Sequence, residues 1–196
     1  MGNMKKFIKQ FFRLTCSLIM LPFIILYVLL IQIANKDDVF SAFSQFISLF
    51  PGKLGAYFRA SFYHFTMQHC DLDTVIGFGA LLSQQDTELL SGCYIGPHSN
   101  IGKCRIEANC LLGSGVHILS GKEQHNFDDI ERPLKDQGGK FTKVVIGEDS
   151  WLGNGAIVMA NVGKKCIVAA GAVVVNDVPD YAVVAGNPAK IIKMRK

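Results

Sequence analysis

Residues Val144 to Val184, VVIGEDSWLGNGAIVMANVGKKCIVAAGAVVVNDVPDYAVV, decide how this chain folds. Ile146, Leu152 and Val158 stand six residues apart, the first two each followed by a glycine (Gly147, Gly153), and after a slip Val168 and Val174 resume the step. On an α-helix a step of six turns through about 600° and scatters the apolar residues over three faces, whereas on extended chain it is a multiple of the side-chain period of two. Strands of two or three residues bury an apolar face only when stacked as the coils of a parallel β-helix, so the spacing predicts an inward aliphatic ladder with glycines at the corners.

Working toward the N-terminus, the hexads begin near Asp71. Ile76-Gly77 and Leu82 start the ladder, Leu89, Ile95-Gly96 and Ile101-Gly102 continue it after one extra residue, and Ile106, Leu112-Gly113 and Ile118 follow after one is lost. Then Gly121 to Lys143, GKEQHNFDDIERPLKDQGGKFTK, places ten charged residues among 23 without a period. A charged excursion from a regular solenoid is a functional loop or a disordered one. Without it, residues 71–185 provide about five coils at about eighteen residues each. After Val184, residues 186–196 form a basic tail that turns at Asn187-Pro188 and carries Lys190, Lys193, Arg195 and Lys196; it reads either as a solvated terminus or as a set of cations for a phosphate-bearing ligand.

Upstream of the ladder the composition changes. Lys5, Lys6, Lys9 and Arg13 precede Leu14 to Ala34, 21 residues without a charge and roughly the length that crosses a bilayer. Residues 1–36 therefore read as a membrane-associated helix. Lys36, Lys53 and Arg59 make the second flank basic too, and Pro22 favours a kink, so a re-entrant or monotopic insertion with both ends in the cytoplasm is expected over a simple span. Residues 37–70 carry two amphipathic helical runs, Val39, Phe43, Phe46, Ile47, Phe50 and then Leu54, Phe58, Phe62, Phe65, separated by Pro51-Gly52 and with Asp37 or Asp38 as N-cap. This aromatic pair suits either the membrane interface or a cap on the first coil.

Composition bounds the rest. Apolar residues make up 49% of the 196, more than one soluble domain needs, and a net charge of +4 without a basic-aromatic cluster argues against nucleic acid. Six scattered cysteines, with no CxxC, suggest a reducing compartment and small core residues rather than a disulfide framework.

From about Asp71 to Lys193 the chain resembles the hexapeptide-repeat acyltransferases. The ending WLGNGAIV followed by VAAGAVVVNDVPDYAVVAGNPAK is similar to the sugar O-acetyltransferases and the xenobiotic (streptogramin and chloramphenicol) acetyltransferases. The resemblance implies a left-handed parallel β-helix, a handedness that crossover physics alone would not suggest. It also implies a homotrimer with acetyl-CoA in a groove between subunits. In those families a histidine at the start of the excursion loop is the base; LGSGVHILSGKEQHNF places His125 there, thirteen residues after Leu112, a spacing that looks like the xenobiotic branch. Trp151, Gly153 and Asn154 fall in the motif that opens the cofactor groove, Ala170 and Val175 match positions lining it, and Lys190 and Lys193 match basic residues near the adenosine phosphates. Trp151 also reads as corner packing. The interval from Val158 to Val168 is two residues shorter than usual in the sugar enzymes, and no counterpart of their acceptor-binding asparagine is evident. The paired His-Ala-Thr run of the serine acetyltransferases is absent.

Acyl transfer from a thioester to a hydroxyl needs a base, donors for the developing oxyanion, and alignment of two large reactants. Imidazole suits the first task near neutrality. The resemblance gives it to His125, with Glu123, Asp128 or Asp129 to orient its ring and backbone amides at a glycine corner as oxyanion donors. The expected function is acetyl transfer from acetyl-CoA to a hydroxyl of a glycan or lipid-linked sugar, in a protein at a bacterial-type cytoplasmic membrane with its catalytic domain facing the cytoplasm, where acetyl-CoA is found. No metal is expected. Two alternatives stand beside it: a γ-type carbonic anhydrase-like metal hydratase using His98, His117 and His125, with His98 and His117 stacked on adjacent coils, and a non-catalytic membrane scaffold.

Overall fold

A computed structural model describes residues 2–196. The side chains of Lys5 and Lys6, expected to make the N-terminal flank basic, lie outside the described residues, as does Met1. Three helices, α1 (Gly2–Leu30), α2 (Lys36–Ser48) and α3 (Gly52–Thr66), precede a three-sided solenoid of strands mostly two residues long. Within each strand pair one residue points in and the next out, so the six-step aliphatics form three buried columns. Cys70, Leu89, Ile106 and Ile146 rise up the first face, Ile76, Ile95, Leu112, Leu152, Val168 and Val184 up the second, and Leu82, Ile101, Ile118, Val158 and Val174 up the third. All these pairings are parallel and in register.

The solenoid is longer than the expected five coils. The second face carries six parallel rungs, and isolated bridges through Val162 and Val178 bring the first face to six as well, giving roughly six coils. Coil length explains the difference. Successive rungs of the second face are separated by 19 residues from Ile76 to Ile95, by 17 from there to Leu112, and by only 16 from Leu152 to Val168 and from Val168 to Val184. The short interval from Val158 to Val168 is a trimmed corner: the chain takes four residues, not six, to pass from Val158 to Val162. Side chains stack there in place of the missing backbone, with Val145 N–H donating to Asn161 Oδ1 and Asn161 N–H to Asp177 Oδ1, each at 2.9 Å.

The two ends close differently. Strand Ala182–Ala185 pairs antiparallel with Lys190–Met194, so the middle of the basic tail is an edge strand. At the other end the first coil has no rung before it, and α2 supplies the missing acceptors. Leu82 N–H donates to Ser44 Oγ at 2.8 Å, Gly79 N–H to the Ser48 carbonyl at 3.0 Å, and Gln85 N–H to Asp37 Oδ1 at 2.9 Å. Asn35, rather than Asp37 or Asp38, is the N-cap of α2. Arg59 of α3, 1% exposed, caps the far end of α2: its Nη1 reaches the carbonyls of Ile47, Ser48 and Phe50, and its Nε that of Ile76 on the first coil. No carboxylate faces this guanidinium among the described residues, so the negative end of the helix dipole and four carbonyls take its charge.

Helix α1 runs through Pro22 and buries one stripe, Cys16, Met20, Ile24 and Tyr27, against α2 and α3. Tyr27 meets Phe40, Phe43 and Phe62 edge-on and Phe23 stacks on Phe46, a geometry that contributes beyond area alone. From Phe7 to Leu30 the helix is long and apolar enough to cross a membrane, and only 22% of its most apolar window is buried.

The excursion 121–143 is an ordered hairpin. Its limbs pair from Thr142 N–H to the Ser120 carbonyl, from Lys140 N–H to Glu123 and from Asn126 N–H to Gly138. Gln137 closes the tip, its amide donating to the carbonyls of Asp129 and Arg132 and its Oε1 accepting from Asp129 N–H. The returning limb is tied to the first face by Lys143, which donates to Glu88 at 2.8 Å and Gln68 at 3.0 Å, while Arg105 holds the other oxygen of Glu88. The bond from Lys143, ahead of the opposing effect of desolvation, lowers the Glu88 carboxyl below its ordinary pKa.

Two stability measurements follow. Arg59→Leu removes the guanidinium donor from the carbonyls of Phe50 and Ile76 and one of the donors from those of Ile47 and Ser48; it is expected to cost about 3 kcal/mol, read as a lower melting temperature of the purified protein, with Arg59→Lys recovering only part of the loss. Glu88→Gln is expected to lower the melting temperature at neutral pH. Because the folded pKa of Glu88 is depressed, its contribution is present above the unfolded carboxylate value and is lost as pH falls through the folded one, so the wild-type and variant melting curves should converge in acid.

Candidate active site

The third face, with the corner on either side of it, gathers most of the chemistry. At the corner from the second to the third face, Gly113-Ser114, Gly153-Asn154 and Ala169-Ala170 stack on successive coils. A Cβ on Gly153 would lie 2.4 Å from Ala170 N, so glycine is required for this spacing. Asn154 Oδ1 accepts from Ser114 N–H at 3.1 Å, which leaves its amide nitrogen as the group available to a ligand. Asn154 and Ala170 are exposed there.

At the opposite corner the hairpin leaves the solenoid. Val175 lies in a groove of about 510 Å³ with Lys122, Glu123, Thr142, Lys143 and Met159, so this expected cofactor residue and the base of the hairpin share one cavity. On the third face itself a recess of about 150 Å³ is lined by Ser83, Asn100, His117, Gln124 and Phe141. Its polar lining was not legible as a site in the sequence, because Ser83, Asn100 and His117 come from three coils and only stacking brings them side by side. Asn100 and His117 are paired neighbours, outward-facing on consecutive rungs.

His125 stands next to Gln124 on the outgoing limb of the hairpin and is exposed. Its position is held by backbone: Gly139 on the returning limb comes so close that a Cβ would sit 2.0 Å from the Gln124 carbonyl oxygen and 2.8 Å from His125 N. None of Glu123, Asp128 and Asp129 hydrogen-bonds the imidazole among the described residues. Asp129 is occupied within the loop, its Oδ1 accepting from Glu131 N–H at 3.0 Å.

The remaining expected residues are not brought to this face within one chain. Trp151 points out from the second face, half exposed, continuing a column that includes Val75, Tyr94 and Leu111. Lys190 and Lys193 lie exposed on the antiparallel edge strand, where Lys193 pairs with Val183. His98 does not stack on His117. The coil between them is 17 residues rather than 19, so His98 falls at a corner, with its ring edge-on to Phe78 at 5.6 Å. No group of three His, Cys, Asp or Glu side chains arranged to hold a metal occurs among the described residues. All six cysteines are buried and unpaired, and burial pushes the Cys70 thiol up to about 12, far from a reactive thiolate.

No protein-family model matches the chain. Among curated proteins it is 34% identical over 112 residues to a chloramphenicol acetyltransferase of Klebsiella aerogenes, covering 49% of this chain and 53% of that one. It is 42% identical over 83 residues to a 2,3,4,5-tetrahydropyridine-2,6-dicarboxylate N-acetyltransferase of Staphylococcus aureus, covering 41% and 31%. The chain thus spans about half the length, or less, of these relatives. Among solved structures, a hexapeptide-repeat acetyltransferase from Vibrio cholerae superposes with a TM-score of 0.59 over 84% of this chain and 95% of that one, at 16% identity. A galactoside acetyltransferase in complex with coenzyme A does so with a TM-score of 0.56 over 84% of both chains, at 15% identity. The stacked hexads thus build the same fold as these solved structures, and the curated relatives that the chain matches over part of their length are acetyltransferases.

Proposed function

We propose that this protein transfers an acetyl group from acetyl-CoA to a hydroxyl of a glycan or lipid-linked sugar at the membrane, with His125 as general base. The observation that carries the reading is a hairpin limb pinned by backbone contacts, on which the exposed His125 directly follows Gln124, a residue lining the polar recess of the face whose two corners hold Asn154, Ala170 and Val175. The acetyltransferase relatives and the coenzyme A held by a structural neighbour support the donor.

The chemistry assigns each part a task. His125 takes the acceptor hydroxyl's proton as that oxygen attacks the thioester carbonyl; backbone amides at a glycine corner stabilise the oxyanion; the carbon–sulfur bond breaks, and the imidazolium returns the proton to the departing thiolate. Gly153, Asn154, Ala170 and Val175 would line the pantetheine arm, Trp151 would close the groove from its own face, and Lys190 and Lys193 would meet the phosphates. Because Trp151 and His125 sit on different faces of one chain, the complete site is proposed to form between subunits of a homotrimer. The outward column of Val75, Tyr94, Leu111 and Trp151, and the exposed Phe127, Ile130 and Leu134 of the hairpin, are apolar surfaces that a neighbouring copy would cover.

Helix α1 is proposed to hold the protein in the cytoplasmic membrane with the solenoid on the cytoplasmic side. An anchor raises the effective concentration of a membrane-held acceptor without any added contact. No observation favours the metal hydratase: His98 is turned onto Phe78, away from His117 in register.

In the purified protein, His125→Ala is expected to lower the rate of coenzyme A release by about 10²- to 10⁴-fold while acetyl-CoA still binds and the oligomer persists. Retention of most activity would remove His125 from this role, and failure of the wild type to bind coenzyme A would point to a scaffold. Gly139→Ala displaces the limb that carries His125; kcat should fall by about 10²-fold with little change in melting temperature, since the strain is confined to the hairpin.

A further inference from the structure

We infer that the cleft between α1 and α3 is a binding site for the phosphate of an anionic membrane lipid; this rests on the membrane association proposed above and adds a defined site to it. The two helices pack against each other. Ser17 Oγ donates to Ser61 Oγ at 3.2 Å, an offset of 44 residues. Toward the start of both helices, Lys9 and Arg13 of α1 share a cavity with Lys53 and Tyr57 of α3. Between the helices and the first coil lies a cavity of about 290 Å³ lined by Lys9, Arg13, Lys53, Tyr57, Asp73 and Thr74.

The charge in this cleft is not balanced from within. Three cations line it against one carboxylate, and Asp73 Oδ1 already accepts from Gly92 N–H at 3.2 Å. Among the described residues, none of the three cations has a carboxylate within ion-pair distance. Arg13 Nε is shut off from solvent with no hydrogen-bond partner. Unpaired cations gathered around one cavity repel, and an anion between them removes that penalty. Phosphate suits the set, with a planar fork from Arg13 and point charges from Lys9 and Lys53.

The walls choose the kind of phosphate. Two neighbouring recesses share Lys9 with the cavity; Ile8, Phe12 and Leu54 line one, Leu14 and Phe65 the other, and all five side chains are exposed. A ligand with an acyl chain next to its phosphate would cover this apolar surface, whereas inorganic phosphate would leave it in water.

The test uses the full-length protein in a non-ionic detergent, titrated with dihexanoyl phosphatidylglycerol, dihexanoyl phosphatidylcholine or inorganic phosphate, with bound molecules counted by native mass spectrometry. Phosphatidylglycerol is expected to bind about tenfold more tightly than phosphatidylcholine, and Arg13→Gln or the exposed Lys53→Gln should erase most of that preference while the melting temperature holds. Equal binding of the two lipids, a preference that survives both substitutions, or displacement of the lipid by an equal concentration of phosphate would overturn the site. Flotation of the wild type on phosphatidylcholine vesicles separates the two readings. Protein that floats yet shows no lipid preference sinks only this site, and protein that does not float sinks the anchor as well.

Discussion

A parallel β-helix satisfies its backbone only through the coil above and the coil below, so the first coil is where this fold must find partners from elsewhere. Here they come from α2. Ser44, Ser48 and Asp37 accept from three amides of the first coil, and Arg59 then ties the end of α2 to Ile76 on the same coil. Tyr63 joins through a 2.8 Å hydrogen bond with Ser44, and burial holds its phenol well above the ordinary range. The helices are therefore structural for the solenoid on one side while α1 presents an apolar surface on the other. The helices and the solenoid are therefore connected through a polar, buried joint.

The stacking rule also determines where irregularity is tolerated. Inward positions cannot be shifted without breaking a column, but corners can lengthen or shorten provided something satisfies the backbone. At the trimmed corner near Asn161 a side-chain ladder does so. At the corner after Ile118 the chain leaves for 23 residues and returns in register, with Val144 paired to Cys104, because the hairpin limbs bond to each other and Lys143 anchors the return to Glu88. A charged segment with no hydrophobic period is thus ordered by Gln137 and by close backbone contact at Gly139. Neither signal is periodic.

Placement on the solenoid then governs the chemistry available. The third face and its corners carry the recess, the corner amides and the base of the hairpin that bears His125, and the second face presents an apolar column that includes Trp151. A single chain does not bring these together, which is the geometric reason to place the proposed site at a seam between copies.

The amino-acid sequence by itself determined the solenoid, since a step of six in aliphatic residues has one economical solution in three dimensions, and it located the excursion and the apolar N-terminal helix from composition alone. It did not settle the number of coils, because corners of four residues and of six leave the same aliphatic signature between them. Nor did it reveal that the tail is an edge strand, that His98 and His117 are out of register, or that Ser83, Asn100 and His117 share a recess with Gln124. Those facts depend on distances between residues far apart in the chain, and only the accumulated length of each coil decides which of them meet.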